Sequence, residues 1–405
     1  MQNTLRHFEK QLLNKVQLTS SKSESNRVLI MNALSGNQLS IENLSSARDT
    51  QTMMRLLSEN ADVWDVLDAG TTMRFCTAYL GVKGEGQTIT GTDRMKERPI
   101  GLLVDALRVL GAKIQYQEKE GYPPLKIEKI SQSDTNKISI PGNISSQFIS
   151  ALLMIGPILP NGIELELTGE IFSRPYIDMT LGLMSHFGIK HEWVDNTILI
   201  TPQTYQPNQY TVESDWSGAS YWFSLAAIKE AAKLELKGLK AESYQGDQEI
   251  VWIMEKMGVK THFEGNSAFL ENTGKCESRI EINFKTCPDL AQTVMVTAAV
   301  KGVTLEMTGL ESLRIKETDR IAAMAAELKK VGAELIEEST GKWVMNPGQL
   351  PKEITPIETY EDHRMAMAFA PICGVSQITI LEPDVVQKSY PAFWDDFSSV
   401  GVEIA

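Results

Sequence analysis

The chain is 405 residues long, 42% hydrophobic and 22% charged, which is more than one hydrophobic core normally organises and too apolar for a disordered chain. Acidic residues outnumber basic ones by 52 to 39, for a formal charge of −13, so nucleic acid and anionic membrane repel the protein unless its basic residues are locally gathered. Cys76, Cys276, Cys287 and Cys373 form no CxxC pair and stand at no metal-ligand spacing from the five histidines, which argues against a disulfide framework and a structural zinc.

The N-terminal MQNTLRHFEKQLLNK lacks the apolar core and small-residue cleavage site of a signal peptide, and no later run reaches the ~18 apolar residues of a membrane helix. A soluble, cytoplasmic protein is expected. Residues 1–20 hold part of a strand pattern but no complete unit, and are expected to complete a sheet of the second domain. Six short polar segments then each open a strongly apolar helical pattern: KSESNR from Lys22, GTTMRF from Gly70, SSQFIS from Ser145, SGASYW from Ser217, DLAQTV from Asp289 and HRMAMA from His363. They fall 48, 75, 72, 72 and 74 residues apart, a nearly constant period after a shorter first unit.

Within each period follow an alternating strand, a polar loop, a helix closed by glycine and a further strand. The closing glycines are Gly111, Gly188, Gly258, Gly332 and Gly401, each suited to the left-handed residue past a helix end. The turn-rich TPQTYQPNQYTVESD separates the third unit from the fourth and predicts a boundary near Asp215. The pattern predicts an α/β (α+β) chain of two similar domains with three units each, residues 21–214 and residues 1–20 plus 215–405.

A helix N-terminus offers unpaired N–H groups and a partial positive charge, so a repeat that gathers several of them makes an anion site. At these starts stand Lys22, Ser23 and Arg27; Gly70 and Thr71; Ser145, Ser146 and Gln147; Asp289; and His363 and Arg364, while the loops before the second helices add Arg98, Ser173, Arg174, Lys316, Arg320 and Lys388. Lys and Arg at N-termini oppose the macrodipole and call for a bound phosphate or carboxylate. Singly, each has an ordinary use. Ser23 and Ser145 suit N-caps, Asp289 after Pro288 suits the first turn of a helix, and Gly70 suits a turn. His363 suits packing; Lys316 and Arg320 suit one helix face, with Glu317 and Arg320 as a surface pair. Their recurrence at equivalent places in six units is what favours a ligand.

The stretches SKSESNR (21–27), DAGTTMR (68–74), RMKERPIG (94–101), SSQFISALLM (145–154), SRPYID (173–178), PDLAQT (288–293), RIKETDRI (314–321), EDHRMAM (361–367) and QKSYP (387–391) together resemble the enolpyruvyl transferases over nearly the whole chain, in the branch that acts on shikimate 3-phosphate. The resemblance implies three βαβαββ units per domain, a chain that crosses twice between the domains, and an active site in the interdomain cleft. It implies transfer of the enolpyruvyl group of phosphoenolpyruvate to the 5-hydroxyl of shikimate 3-phosphate, with release of phosphate through a tetrahedral intermediate, as in chorismate and aromatic amino-acid biosynthesis. No metal or organic cofactor is implied. The two substrates are the expected partners, with neither nucleic acid nor membrane, and the chain is expected to act as a monomer.

Carried over by motif, Lys22, Ser23, Arg27, Ser145, Ser146, Gln147, Ser173, Tyr176, Asp289, Ser312 and Lys316 are expected to contact shikimate 3-phosphate. Lys22, Gly70, Arg98, Gln147, Arg320, Arg364 and Lys388 are expected to contact phosphoenolpyruvate. Asp289 is the candidate base for the 5-hydroxyl, and Glu317 and Lys22 are the candidates for proton traffic at the methylene carbon. Ser21, Asp68, Phe75 and Ser312 depart from the common glycine, asparagine, proline and asparagine of the pattern, which bears on affinity more than on activity. With Gly70 and an SSQF motif present, inhibition by glyphosate, a phosphoenolpyruvate mimic, is expected, with Phe75 as the feature that could weaken it. The sister transferases acting on UDP-N-acetylglucosamine are disfavoured by KETDR, by the SSQ triplet and by the lack of a cysteine between Arg94 and Arg98. A non-catalytic phosphometabolite-binding protein is the rival of another class; the two carboxylates Asp289 and Glu317 argue against it.

Overall fold

The computed structural model describes residues 1–8, 12–59, 61–132 and 134–405. The chain forms two compact units, a continuous one of Ser21–Val212 and a split one of Met1–Ser20 with Glu213–Ala405. Helices of the continuous unit are α1 (Lys22–Leu34), α2 (Arg48–Ser58), α3 (Gly70–Lys83), α4 (Asp93–Lys96), α5 (Gly101–Val109), α6 (Ser146–Ile155) and α7 (Arg174–His186). Those of the split unit are α8 (Trp216–Ile228), α9 (Ile250–Lys256), α10 (Ala291–Lys301), α11 (Arg320–Lys330), α12 (His363–Phe369) and α13 (Phe393–Ser399).

One repeat shows the design of all. Strand Lys137–Pro141 leads through α6 to strand Ile163–Thr168, which lies parallel to it, and α7 then leads to the hairpin Glu192–Val194 and Thr197–Ile200, which joins the same sheet antiparallel. The helical crossover is what parallel neighbours require. Ile163, Leu165 and Leu167 point inward while Glu166 and Thr168 are exposed, the period of two that a half-buried strand demands. Equivalent four-stranded sheets run through Val63–Asp65, Arg279–Asn283 and Lys233–Lys237. The first strand of the last of these is Leu13–Gln17, parallel to Lys233–Lys237, so the N-terminal segment completes a sheet of the split unit. Two abbreviated repeats close with two-stranded pairings, Gln209–Thr211 parallel to Ser40–Glu42 and Gln2–Leu5 antiparallel to Ile378–Leu381.

Each unit has its own hydrophobic core. Within it lie helices buried on nearly every side: all of α6 but Gln147, all of α8 but Ser217, and the whole of α12, whose polar residues His363 and Arg364 stand at its start. Gly111 and Gly332 end α5 and α11 at φ 98° and 81°. A Cβ there would stand 2.1 Å from the carbonyl of Gln132 and 2.2 Å from that of Gln349, so both positions need glycine for space as well as for φ. No helix among the described residues is long and apolar enough to cross a membrane.

Candidate functional site

In the continuous unit the starts of α3 and α6 meet. Ser145 caps α6 by accepting from the Gln147 N–H at 3.4 Å, Ser146 is buried behind it, and the Gln147 amide donates to Thr71 Oγ1 at 3.0 Å. Gly70 opens α3, and the Arg98 guanidinium lies so close over it that a Cβ would stand 2.6 Å from Nη1. Arg74, one turn on, donates to the Gly70 carbonyl at 3.1 Å and to the Pro99 carbonyl at 3.3 Å, tying the first turn of α3 to the loop that carries Arg98.

The cap of α1 is Ser21, whose hydroxyl accepts from the Glu24 N–H at 3.3 Å. Ser23, a candidate cap from the sequence, lies inside the first turn instead and is half-buried. Lys22 opens α1 with Nζ 3.3 Å from Asp49 Oδ2. Arg27 is sealed from solvent and donates to Thr180 Oγ1, the Ser23 carbonyl, Ser150 Oγ and the Tyr176 carbonyl, which braces α1 against α6 and α7. Burial lowers its pKa to about 10 against the opposing pull of Tyr176 and Glu24, so it stays charged. Phe75 and the Tyr176 ring flank its guanidinium at 5.4 and 5.8 Å. Ser173, left-handed at φ 52°, leads into α7 just before Tyr176. Arg174 turns away to the surface over Trp193.

The split unit concentrates its charge further. Arg320 is 2% exposed and spends its guanidinium on three carboxylates: Nε to Asp362 at 2.6 Å, Nη1 to Asp289 at 3.0 Å and Nη2 to Glu317 at 2.9 Å. Asp289 is also reached by Arg364 Nη2 at 2.9 Å and Lys316 Nζ at 3.7 Å, and Glu317 by Lys388 Nζ at 3.5 Å. Burial would raise the Asp289 pKa, but Arg364, Lys316 and Arg320 outweigh it and hold the carboxyl well below its ordinary range. Burial likewise works against the charge of Arg320, and Asp362, Glu317 and Asp289 reverse the effect.

Asp289 lies not in an α-helical first turn but in the 3-10 turn Pro288–Leu290 that precedes α10. KETDR is likewise no single helix face. Lys316 follows the 3-10 turn Glu311–Ile315, and the Asp319 carboxylate caps the Ile321 and Ala322 N–H groups, so α11 starts only at Arg320. Lys316 and Arg320 converge on Asp289 because a loop, not a helix, separates them. The Glu317–Arg320 pair does form, but within the network, between a buried Arg320 and a largely buried Glu317, rather than on the surface. Ser312 is half-buried in the turn before Lys316.

Asp49, Arg74, Asp247 and Asp362 were not singled out from the sequence. Asp362 had a local signal, since an Asp before an apolar helical run is an N-cap and its side chain accepts from the Arg364 N–H at 2.8 Å. The other three depend on partners that only folding supplies. No group of three or more His, Cys, Asp or Glu among the described residues is placed to hold a metal.

Three of the four residues that depart from the motif pattern have a clear structural place. Ser21 caps α1, Asp68 pairs with Arg48 at 2.8 Å and Phe75 is core. Comparison with known proteins gives the family. A family model described as EPSP synthase (3-phosphoshikimate 1-carboxyvinyltransferase) matches residues 8–61 and 55–397. A 3-phosphoshikimate 1-carboxyvinyltransferase of Bacteroides fragilis (strain YCH46) is 49% identical over 392 residues, covering 96% of this chain and 95% of that protein. One from Haemophilus influenzae (strain PittEE) is 37% identical over 419 residues, covering 95% and 96%. An EPSP synthase structure from Acinetobacter baumannii superposes with a TM-score of 0.79 at 21% identity over the full length of both chains, which shows the shared fold. The chain, with its motifs accounted for and its near-complete match in sequence, belongs to the EPSP synthase (3-phosphoshikimate 1-carboxyvinyltransferase) family.

Proposed function

We infer that this chain is a 3-phosphoshikimate 1-carboxyvinyltransferase, which transfers the enolpyruvyl group of phosphoenolpyruvate to the 5-hydroxyl of shikimate 3-phosphate and releases phosphate. Family membership supports the reaction. The single structural observation that carries the reading is the split unit's network, in which Lys316, Arg320, Arg364 and Lys388 share Asp289 and Glu317. Cations suited to phosphate and carboxylate stand beside groups that can take and give protons, and each substrate carries one phosphate and one carboxylate.

A proton adds to the methylene carbon of phosphoenolpyruvate, the 5-oxygen bonds to its C2, and the C2–O bond to phosphate then breaks as the methyl group gives a proton back. Asp289 takes the hydroxyl proton. Held by three cations it is a weak base, and substrate anions that draw Arg364, Lys316 and Arg320 toward themselves restore its basicity. Glu317 and Lys22 handle the carbon-bound proton, and the cations stabilise the charge that develops in the intermediate. Ser23, Ser145, Ser146, Gln147, Ser173, Tyr176 and Ser312, with the charged groups around them, orient shikimate 3-phosphate. Gly70 and Arg98 hold phosphoenolpyruvate, and glyphosate competes with it there. The reading includes a cytoplasmic enzyme that acts as a monomer.

The test is phosphate release from the two substrates, without added metal, with omission of each substrate and with UDP-N-acetylglucosamine in place of shikimate 3-phosphate. Release that requires shikimate 3-phosphate is expected; no release with either acceptor overturns the reading. Gly70→Ala drives a methyl group into Arg98 and is expected to raise the KM for phosphoenolpyruvate about tenfold, ~1.4 kcal/mol, while that for shikimate 3-phosphate moves less. Glu317→Gln keeps the size and removes the charge, and is expected to lower kcat about 100-fold. Turnover near wild type, with loss on changing Lys22, would reassign Glu317 to holding Arg320 and Lys388 in place.

A further inference from the structure

Asp247 lies outside every motif of the sequence. It sits in the 3-10 turn Gly246–Glu249, is 3% exposed, and takes a hydrogen bond on Oδ2 from the Ser217 hydroxyl. Its other oxygen, Oδ1, is buried and has no hydrogen-bond partner. A carboxylate stranded in this way is costly, whereas a carboxylic acid with a bare oxygen is much less so. Ser217 in turn accepts from Arg364 Nη2 at 3.4 Å, the same nitrogen that stands 2.9 Å from Asp289. A chain of side chains therefore runs from Asp247 through Ser217 to a cation that the function assigns to phosphoenolpyruvate.

We propose that Asp247 is a positioning residue for Arg364, acting through Ser217, and that its ionisation weakens the capture of phosphoenolpyruvate by holding that guanidinium back. The proposal rests on the transferase reading. With Asp247 neutral, Arg364 is held on this side by the Asp289 carboxylate and the Ser217 hydroxyl. Ionised, Asp247 adds a negative charge beside Arg364, and Ser217 is fixed as a donor to it with its lone pairs turned to Arg364.

The groups facing Asp247 act in both directions. Burial is the largest influence and pushes its carboxyl up; Asp289 and Asp215 push the same way, Arg364 and Ser217 oppose, and the outcome is a pKa of about 7. Cys287 is a further titratable neighbour, on which Asp247, Glu249 and Asp289 all act. On α9, Glu255 is exposed and Lys256 is turned to Glu277.

The test is the KM for phosphoenolpyruvate between about pH 6 and about pH 8.5, in wild type, Asp247→Asn and Ser217→Ala. Ionisation of the substrate phosphates is common to all three enzymes, so the ratio of wild type to variant isolates Asp247. For Asp247→Asn that ratio is expected to stay near one at the acid end and to approach tenfold at the alkaline end, the change that one unit of coupled pKa produces. Ser217→Ala removes the hydroxyl that links Asp247 to Arg364, so its pH-dependent step is expected to shrink toward that of Asp247→Asn. A ratio independent of pH for a folded Asp247→Asn overturns the proposal. Should that variant not fold, a pH-dependent step in Ser217→Ala as large as in wild type overturns it equally. Absence of turnover in wild type at every pH would instead overturn the transferase reading.

Discussion

Asp289→Asn is expected to lower kcat by about 10²- to 10⁴-fold, the usual contribution of a positioned base, while the affinity for phosphoenolpyruvate stays level or improves. The two halves of this expectation come from one geometry. The Asp289 carboxylate is the common acceptor of Arg320 at 3.0 Å, Arg364 at 2.9 Å and Lys316 at 3.7 Å. An amide cannot serve as the base, and it also gives up its claim on those three cations, which are then more available to a ligand phosphate or carboxylate. Single-turnover rates measured beside equilibrium binding of phosphoenolpyruvate separate the effects. A variant that binds phosphoenolpyruvate poorly but turns over normally at saturation would make Asp289 a positioning group and leave the base unassigned.

Helix starts were readable in the sequence because capping is local chemistry. Ser145 and Gly70 mark the starts of α6 and α3 within a residue, and Gly111 and Gly332 end α5 and α11 where a left-handed residue was needed. The KETDR segment shows where local logic misleads. A spacing of four suggested one helix face for Lys316 and Arg320, yet Asp319 wins as a cap and delays the helix to Arg320. Asp247 shows what sequence cannot carry at all. Its partners Ser217 and Arg364 stand 30 and 117 residues away, and a carboxyl in a turn looks solvated until the packing around it is known. Arg74 hid for a related reason: inside an apolar helix it reads as an interruption, and only the placement of the Pro99 carbonyl makes it a brace.

Asp362→Asn is expected to destabilise the split unit by about 3 kcal/mol, the largest stability effect of a single isosteric change in the network. Asp362 is fully buried, faces the nearly sealed Arg320 at 2.6 Å and caps α12 through the Arg364 N–H. Removing one member of a buried pair leaves the other charge uncompensated, typically at ~3–5 kcal/mol; Arg320 keeps Asp289 and Glu317, which places the loss at the lower end. Asn can still accept from the Arg364 N–H, so the loss reports the charge rather than the cap. For a domain of this size ~3 kcal/mol corresponds to roughly 6–12 °C in Tm. The control is Glu59→Gln in the continuous unit, whose pair with Arg55 at 3.1 Å is about half exposed on both sides; there ~0.5 kcal/mol or less is expected. Both variants belong at neutral pH. The native pKa of Asp289 is depressed, so its contribution to stability is fully present above the unfolded value of ~3.9 and is lost as the pH falls toward the native one. Acid would therefore remove a second support from Arg320 and mask the first. Equal and small shifts for the two variants at neutral pH would mean that Arg320 reaches water or an anion in solution, and that the network is held by the packing of α11 and α12 rather than by its charges.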